Sequence, residues 1–74
     1  KEDKPDVPAD VLADAYASML EFAEQMDVDL MEMVLDSLDG YRLSKEDAGR
    51  IEEIRACLMR LDWDPITKQL KEAI

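Results

Sequence analysis

Two segments, Met26-Asp27-Val28-Asp29-Leu30-Met31 and Leu61-Asp62-Trp63-Asp64-Pro65-Ile66, stand 35 positions apart and share one pattern: an apolar residue, an Asp-x-Asp pair, then a return to apolar residues. The correspondence extends further. Upstream, Tyr16, Met19, Phe22, Ala23 and Met26 fall on Ile51, Ile54, Cys57, Leu58 and Leu61; downstream, Leu35 falls on Leu70 and Leu38 on Ala73. Each copy reads as apolar helix, turn, apolar helix, which is one αα-hairpin. A lone hairpin leaves its apolar face in water, so two copies must cover each other. The expected fold is all-α, a four-helix bundle built from two αα-hairpins. The period lies near that of tetratricopeptide repeats, but their Trp, Gly and Pro positions are missing, and two repeats would leave a solenoid uncapped.

The rest of the chain fits that plan. Residues 1–7 are charged, contain Pro5 and show no period, so they read as a flexible leader before a domain spanning 8–74. Pro8 suits the first turn of a helix. From there Val11, Leu12, Tyr16, Met19, Leu20, Ala23 and Met26 recur at steps of three and four, which predicts an amphipathic helix to about Met26. Asp29 reads as the N-cap of the second helix, with Val28 and Met33 as a hydrophobic staple. Leu30, Met31, Val34, Leu35 and Leu38 form its apolar stripe, and Gly40 is placed to close it in a left-handed cap. Ser44-Lys45-Glu46-Asp47 has the spacing of a capping box with Asp in the place of Glu. The third helix then turns Ala48, Ile51, Ile54, Leu58 and Leu61 inward, with Gly49 weakening it. Asp64 as N-cap and Pro65 as first helical residue open the last helix, whose inward side is Ile66, Leu70, Ala73 and Ile74. No stretch alternates as a strand would.

Seventy-four residues make one domain, which buries only about 60% of its unfolded surface. The net charge is −10, and it is unevenly placed: residues 1–40 carry 2 basic and 12 acidic side chains, residues 41–74 carry 7 of each. Binding to phosphate backbones needs a basic face, so nucleic acid is not an expected partner, whereas a basic protein surface is. No apolar run approaches 18 residues, so no membrane span is expected. With no signal peptide in view, the expected compartment is cytoplasmic. The chain opens on Lys1 rather than methionine, as a domain within a longer protein would.

The residues that carry chemistry are sparse. There is no histidine, so the commonest general base is absent and every Ser/His or Cys/His arrangement is excluded. Cys57 is alone and lies on an inward stripe, where it reads as an inert thiol. Asp27 and Asp29 do not begin a calcium loop, since Met31, Glu32 and Leu38 stand where a third ligand, a glycine and a bidentate glutamate are needed. Helix capping is the reading of both Asp pairs, and neither a metal nor a cofactor is expected. Asp36-Ser37-Leu38 is similar to the carrier-protein motif whose serine bears phosphopantetheine, but there the tripeptide opens a long helix and here it closes one. Of the five methionines, Met19, Met26, Met31 and Met59 fit core stripes and Met33 faces outward. Trp63, in a turn, suits either a plug for the end of the bundle or an exposed anchor. Arg50, Arg55 and Arg60 spiral around their helix and suit ion pairs with Glu46, Glu52 and Glu53.

Met26-Asp27-Val28-Asp29, Tyr41-Arg42-Leu43-Ser44-Lys45-Glu46-Asp47 and Leu61-Asp62-Trp63-Asp64 together resemble the C-terminal helical extension that follows receiver or kinase domains in hybrid sensor kinases of anaerobic Gram-positive bacteria. The resemblance spans about residues 8–74 and implies a bundle related in shape to histidine-phosphotransfer domains. Those carry a phosphoacceptor histidine, which this chain lacks. What the resemblance leaves is docking: a non-enzymatic interaction module of a two-component signalling protein that holds a receiver or kinase domain, or dimerises the parent protein. The expected contact residues are Asp14, Glu21 and Glu24 on the outer face of the acidic hairpin, with Met33 and Trp63, while Asp29, Ser44 and Asp64 are the structural caps. A purely structural spacer, or a carrier domain modified at Ser37, are the alternatives.

Overall fold

The computed structural model describes residues 4–74; residues 1–3, the start of the expected leader, lie outside the described residues. Four helices follow one another: α1 (Ala9–Glu24), α2 (Val28–Leu38), α3 (Lys45–Met59) and α4 (Trp63–Ala73). Among the described residues there is no strand, only an isolated bridge between Asp6 and Arg42. Helix α1 packs against both α2 and α4, α3 packs against α4, and α2 meets α3 along a shorter seam. The four helices therefore close a small bundle, 34 × 22 × 19 Å along its principal axes.

Its centre is built from the inward stripes. Tyr16, Met19 and Ala23 of α1, Met31, Leu35 and Leu38 of α2, Ile51, Ile54, Cys57 and Leu58 of α3, and Ile66 and Leu70 of α4 are all buried. They recur at steps of three and four because those steps keep a side chain on one helical face. Each fully buried Leu, Ile or Met contributes roughly 1.5–3 kcal/mol relative to exposure, which is the main force holding so small a domain together. Among the described residues no polar or charged side chain is buried with them.

The connections depart from the expectation, for a physical reason. At the end of α1, Met26 adopts a left-handed backbone (φ 56°). The Asp27 N–H then donates to Phe22 C=O and the Met26 N–H to Ala23 C=O, both at 3.0 Å. This is the Schellman pattern, and it closes α1 on itself. It also leaves Asp27 extended, with Oδ1 accepting from the Leu30 N–H at 3.2 Å. Asp27 is thus the N-cap of α2. Asp29, expected to cap, lies inside the first turn, where its charge opposes the positive end of the helix dipole. Val28 is the first helical residue and Met33 is 66% exposed, so no staple forms.

The second corner repeats the left-handed close. Leu61 has φ 55°, the Asp62 N–H donates to Cys57 C=O at 2.9 Å and the Leu61 N–H to Leu58 C=O at 3.0 Å. Asp62 holds the N-cap position but, unlike Asp27, makes no side-chain cap hydrogen bond; Trp63 begins α4, and Asp64 and Pro65 follow inside its first turn instead of opening it. Met26 and Leu61, expected in the core, are 65% and 58% exposed; Met59 (85%) and Ile74 (68%) also leave the interior, and Ala48 is exposed. Gly40 is not left-handed: Asp39 is the C-cap of α2, and neither glycine has a positive φ.

The leader is not free over its described part. The Arg42 N–H donates to Pro5 C=O at 2.8 Å and the Val7 N–H to Arg42 C=O at 3.1 Å. An exposed ion pair, Arg42 to Asp6 at 3.7 Å, lies beside them. Val7 packs against the core, so residues 5–7 are tied to the connection between α2 and α3.

Candidate interaction surface

From Pro5 to Tyr41 the chain carries ten carboxylates and no Lys or Arg. The fold lays these out by helical period. On α1, Asp10, Asp14, Glu21 and Glu24 are exposed at steps that keep them on one stripe, with Ala17 between, opposite the buried Tyr16, Met19 and Ala23. The expected contact residues Asp14, Glu21 and Glu24 therefore do share a surface. Met33 lies on the exposed side of α2 beside Glu32 and Asp36. Trp63 begins α4 in the other hairpin, half-buried against the core.

Cations reach the acidic hairpin from outside it. Helix α2 has no basic residue in its last turn. Arg55 of α3 supplies one: its guanidinium donates to Leu35 C=O and Asp39 Oδ1, both at 3.3 Å, and lies 3.5 Å from Asp36 Oδ1. A positive charge at a helix C-terminus offsets its dipole and occupies a free carbonyl. Arg55 thus crosses to the other hairpin in place of the expected pairing with glutamates of its own helix.

A second link joins α1 to the start of α3. The Tyr16 hydroxyl donates to Asp47 Oδ1 at 2.9 Å, and the Ser44 hydroxyl donates to Asp47 Oδ2 at 2.9 Å. Ser44 is the N-cap, its oxygen accepting from the Asp47 N–H at 3.1 Å. Burial, together with the Asp47 carboxylate, pushes the Tyr16 pKa up to about 12, against a smaller opposite pull from Arg50. A phenol held so firmly neutral neither gives nor takes a proton near pH 7, and its role here is to join helices.

Cys57 is 1% exposed, with its Sγ 3.8 Å from Glu53 Oε2 and 3.5 Å from the Arg60 guanidinium. Ser37 is exposed in the last turn of α2, where its hydroxyl donates to Val34 C=O at 2.7 Å. A shallow hollow of about 410 Å³ lies beside the leader, lined by Val7, Leu12 and Leu43 together with Asp6, Arg42 and Asp47. Among the described residues no group of three or more His, Cys, Asp or Glu side chains is placed to hold a metal ion, and no helix is long and apolar enough to cross a membrane.

Sequence reasoning missed Met26, Leu61 and Met59 as exposed apolar residues. The apolar repeat pointed Met26 and Leu61 inward, and left-handed corners without glycine leave little trace in a sequence; Met59, the last residue of α3, lies outside that repeat. No protein-family model matches the chain, no curated protein matches its sequence, and no solved structure matches its fold.

Proposed function

We propose that this chain is a non-catalytic interaction module of a bacterial two-component signalling protein, working in the cytoplasm without a cofactor by docking a basic surface of a receiver or kinase domain. The observation that carries the reading is the outer stripe of α1, where Asp10, Asp14, Glu21 and Glu24 face solvent on a helix that contains no cation. Such a stripe attracts and orients a basic partner, and most of its effect falls on association rate and salt dependence. The same charge repels nucleic acid and anionic membranes. The family resemblance supplies the class of partner. The absence of any histidine in the sequence turns the reading from phosphotransfer to docking.

The test is a triple charge reversal, Asp14→Lys with Glu21→Lys and Glu24→Lys. All three positions are exposed, so the fold, followed by circular dichroism, is expected to persist. Affinity for the receiver or kinase domain of the parent protein is expected to fall about tenfold or more at low salt, and the salt dependence to flatten. Unchanged affinity in the triple variant removes the acidic stripe from any docking role.

A further inference from the structure

Met26 and Leu61 each carry two burdens that the fold does not require. Both adopt a left-handed backbone, at φ 56° and 55°, which crowds any residue with a Cβ. Glycine or asparagine usually takes this place at a helix end. Both also hold a large apolar side chain in water, at 65% and 58% exposure. The corners themselves are closed by backbone hydrogen bonds from Met26, Asp27, Leu61 and Asp62, which glycine at positions 26 and 61 would leave in place. Side chains that stability alone would discard, at two equivalent corners, are accounted for by contact with something outside the chain.

We infer that Met26 and Leu61 are apolar contact knobs that insert into a basic, amphipathic helix of a partner protein. The inference rests on the interaction-module reading and assigns its apolar anchor points. Charge selects the occupant. Met26 is flanked by Glu24, Asp27 and Asp29; Leu61 is followed by Asp62 and Asp64, while Arg60 before it turns its guanidinium to Cys57 Sγ at 3.5 Å. A second copy of this chain would bring its own net charge of −10 against these corners, and an anionic lipid surface would be repelled in the same way. A helix with leucines along one face and Lys or Arg beside them satisfies both the apolar knobs and the carboxylates around them.

The experiment uses the full chain and its Met26→Gly, Leu61→Gly and doubly substituted forms. The probe is a synthetic helical peptide of leucine and lysine without tryptophan, followed by calorimetry and by Trp63 fluorescence, beside a counterpart with glutamate in place of lysine. Glycine suits a left-handed position, so the double variant is expected to melt at or above the wild-type temperature. It is expected to bind the lysine peptide about tenfold more weakly or worse, while the glutamate peptide binds neither form. Wild-type affinity in the double variant overturns the knobs. If the α1 charge reversal abolishes binding in that case, the acidic-stripe reading survives alone. A wild-type protein that ignores the lysine peptide overturns the knobs and leaves the acidic stripe to its own charge-reversal test, and self-association that vanishes in the glycine forms replaces the basic partner with a second copy.

Discussion

Tyr16 reaches from α1 to the first turn of α3, and its proton is held there by burial and by the Asp47 carboxylate together. The folded chain keeps this proton up to about pH 12, whereas the unfolded chain releases it near the ordinary tyrosine value of 10.0. Between those two values the unfolded state binds fewer protons, so stability is complete below about pH 10 and declines as pH rises through the window. Absorbance of the phenolate, read beside urea unfolding at rising pH, is expected to show a late tyrosine step coinciding with that decline. Tyr16→Phe should remove the step and cost about 1.5 kcal/mol at neutral pH, since Asp47 loses a donor. The inward place of Tyr16 was legible from its stripe. Its partner was not, because Asp47 lies 31 residues away and reads locally as a capping-box residue.

At the scale of the element, each Asp-x-Asp corner offers two candidate caps of the same chemistry. The left-handed residue before the pair decides between them, because it ends one helix and leaves the first aspartate extended at the start of the next. Asp27→Ala is therefore expected to lower stability by about 1 kcal/mol, and Asp29→Ala by only a few tenths through the dipole. Urea midpoints measure both, and a reversed order would return the cap to Asp29. Ser44→Ala should also cost about 1 kcal/mol, with part of the loss shared with Tyr16→Phe because both act on Asp47. Sequence rules placed Ser44 correctly in relation to Asp47 because its box is purely local. They placed the α2 and α4 caps two residues too late because Met26 and Leu61 do not look like helix terminators. Gly40 does look like one, and its backbone is not left-handed.

Across the whole molecule, the acidic hairpin meets a half that is neutral in sum, and Arg55 bridges them through Asp36, Asp39 and the Leu35 carbonyl. Its partner carboxylates are well exposed, so Arg55→Gln is expected to lower stability by about 1 kcal/mol or less, and by still less at high salt. The wild-type melting temperature should move the other way and rise with salt as self-repulsion of the carboxylates is screened. A thermal melt series in salt separates the two. The core has less tolerance than the surface. Ile54 and Leu35 are fully buried, and Ile54→Ala or Leu35→Ala should each remove about 2–5 kcal/mol. That is a large share of what a domain of this size possesses, so a broad, weakly cooperative melt is the expected result.

The apolar period, the capping box at Ser44 and the breaks at the two Asp-x-Asp pairs determine by themselves that the chain is four helices with these inward stripes, because each of those signals acts within one or two helical turns. The tertiary structure alone decides what spans larger distances: that Met26 and Leu61 turn outward where the stripes would carry them in, that Arg55 reaches back to the end of α2, that Asp47 receives Tyr16, and that residues 5–7 pair with Arg42. Each of these depends on where one helix stops relative to another, and backbone hydrogen bonds and packing set that stop when both halves come together.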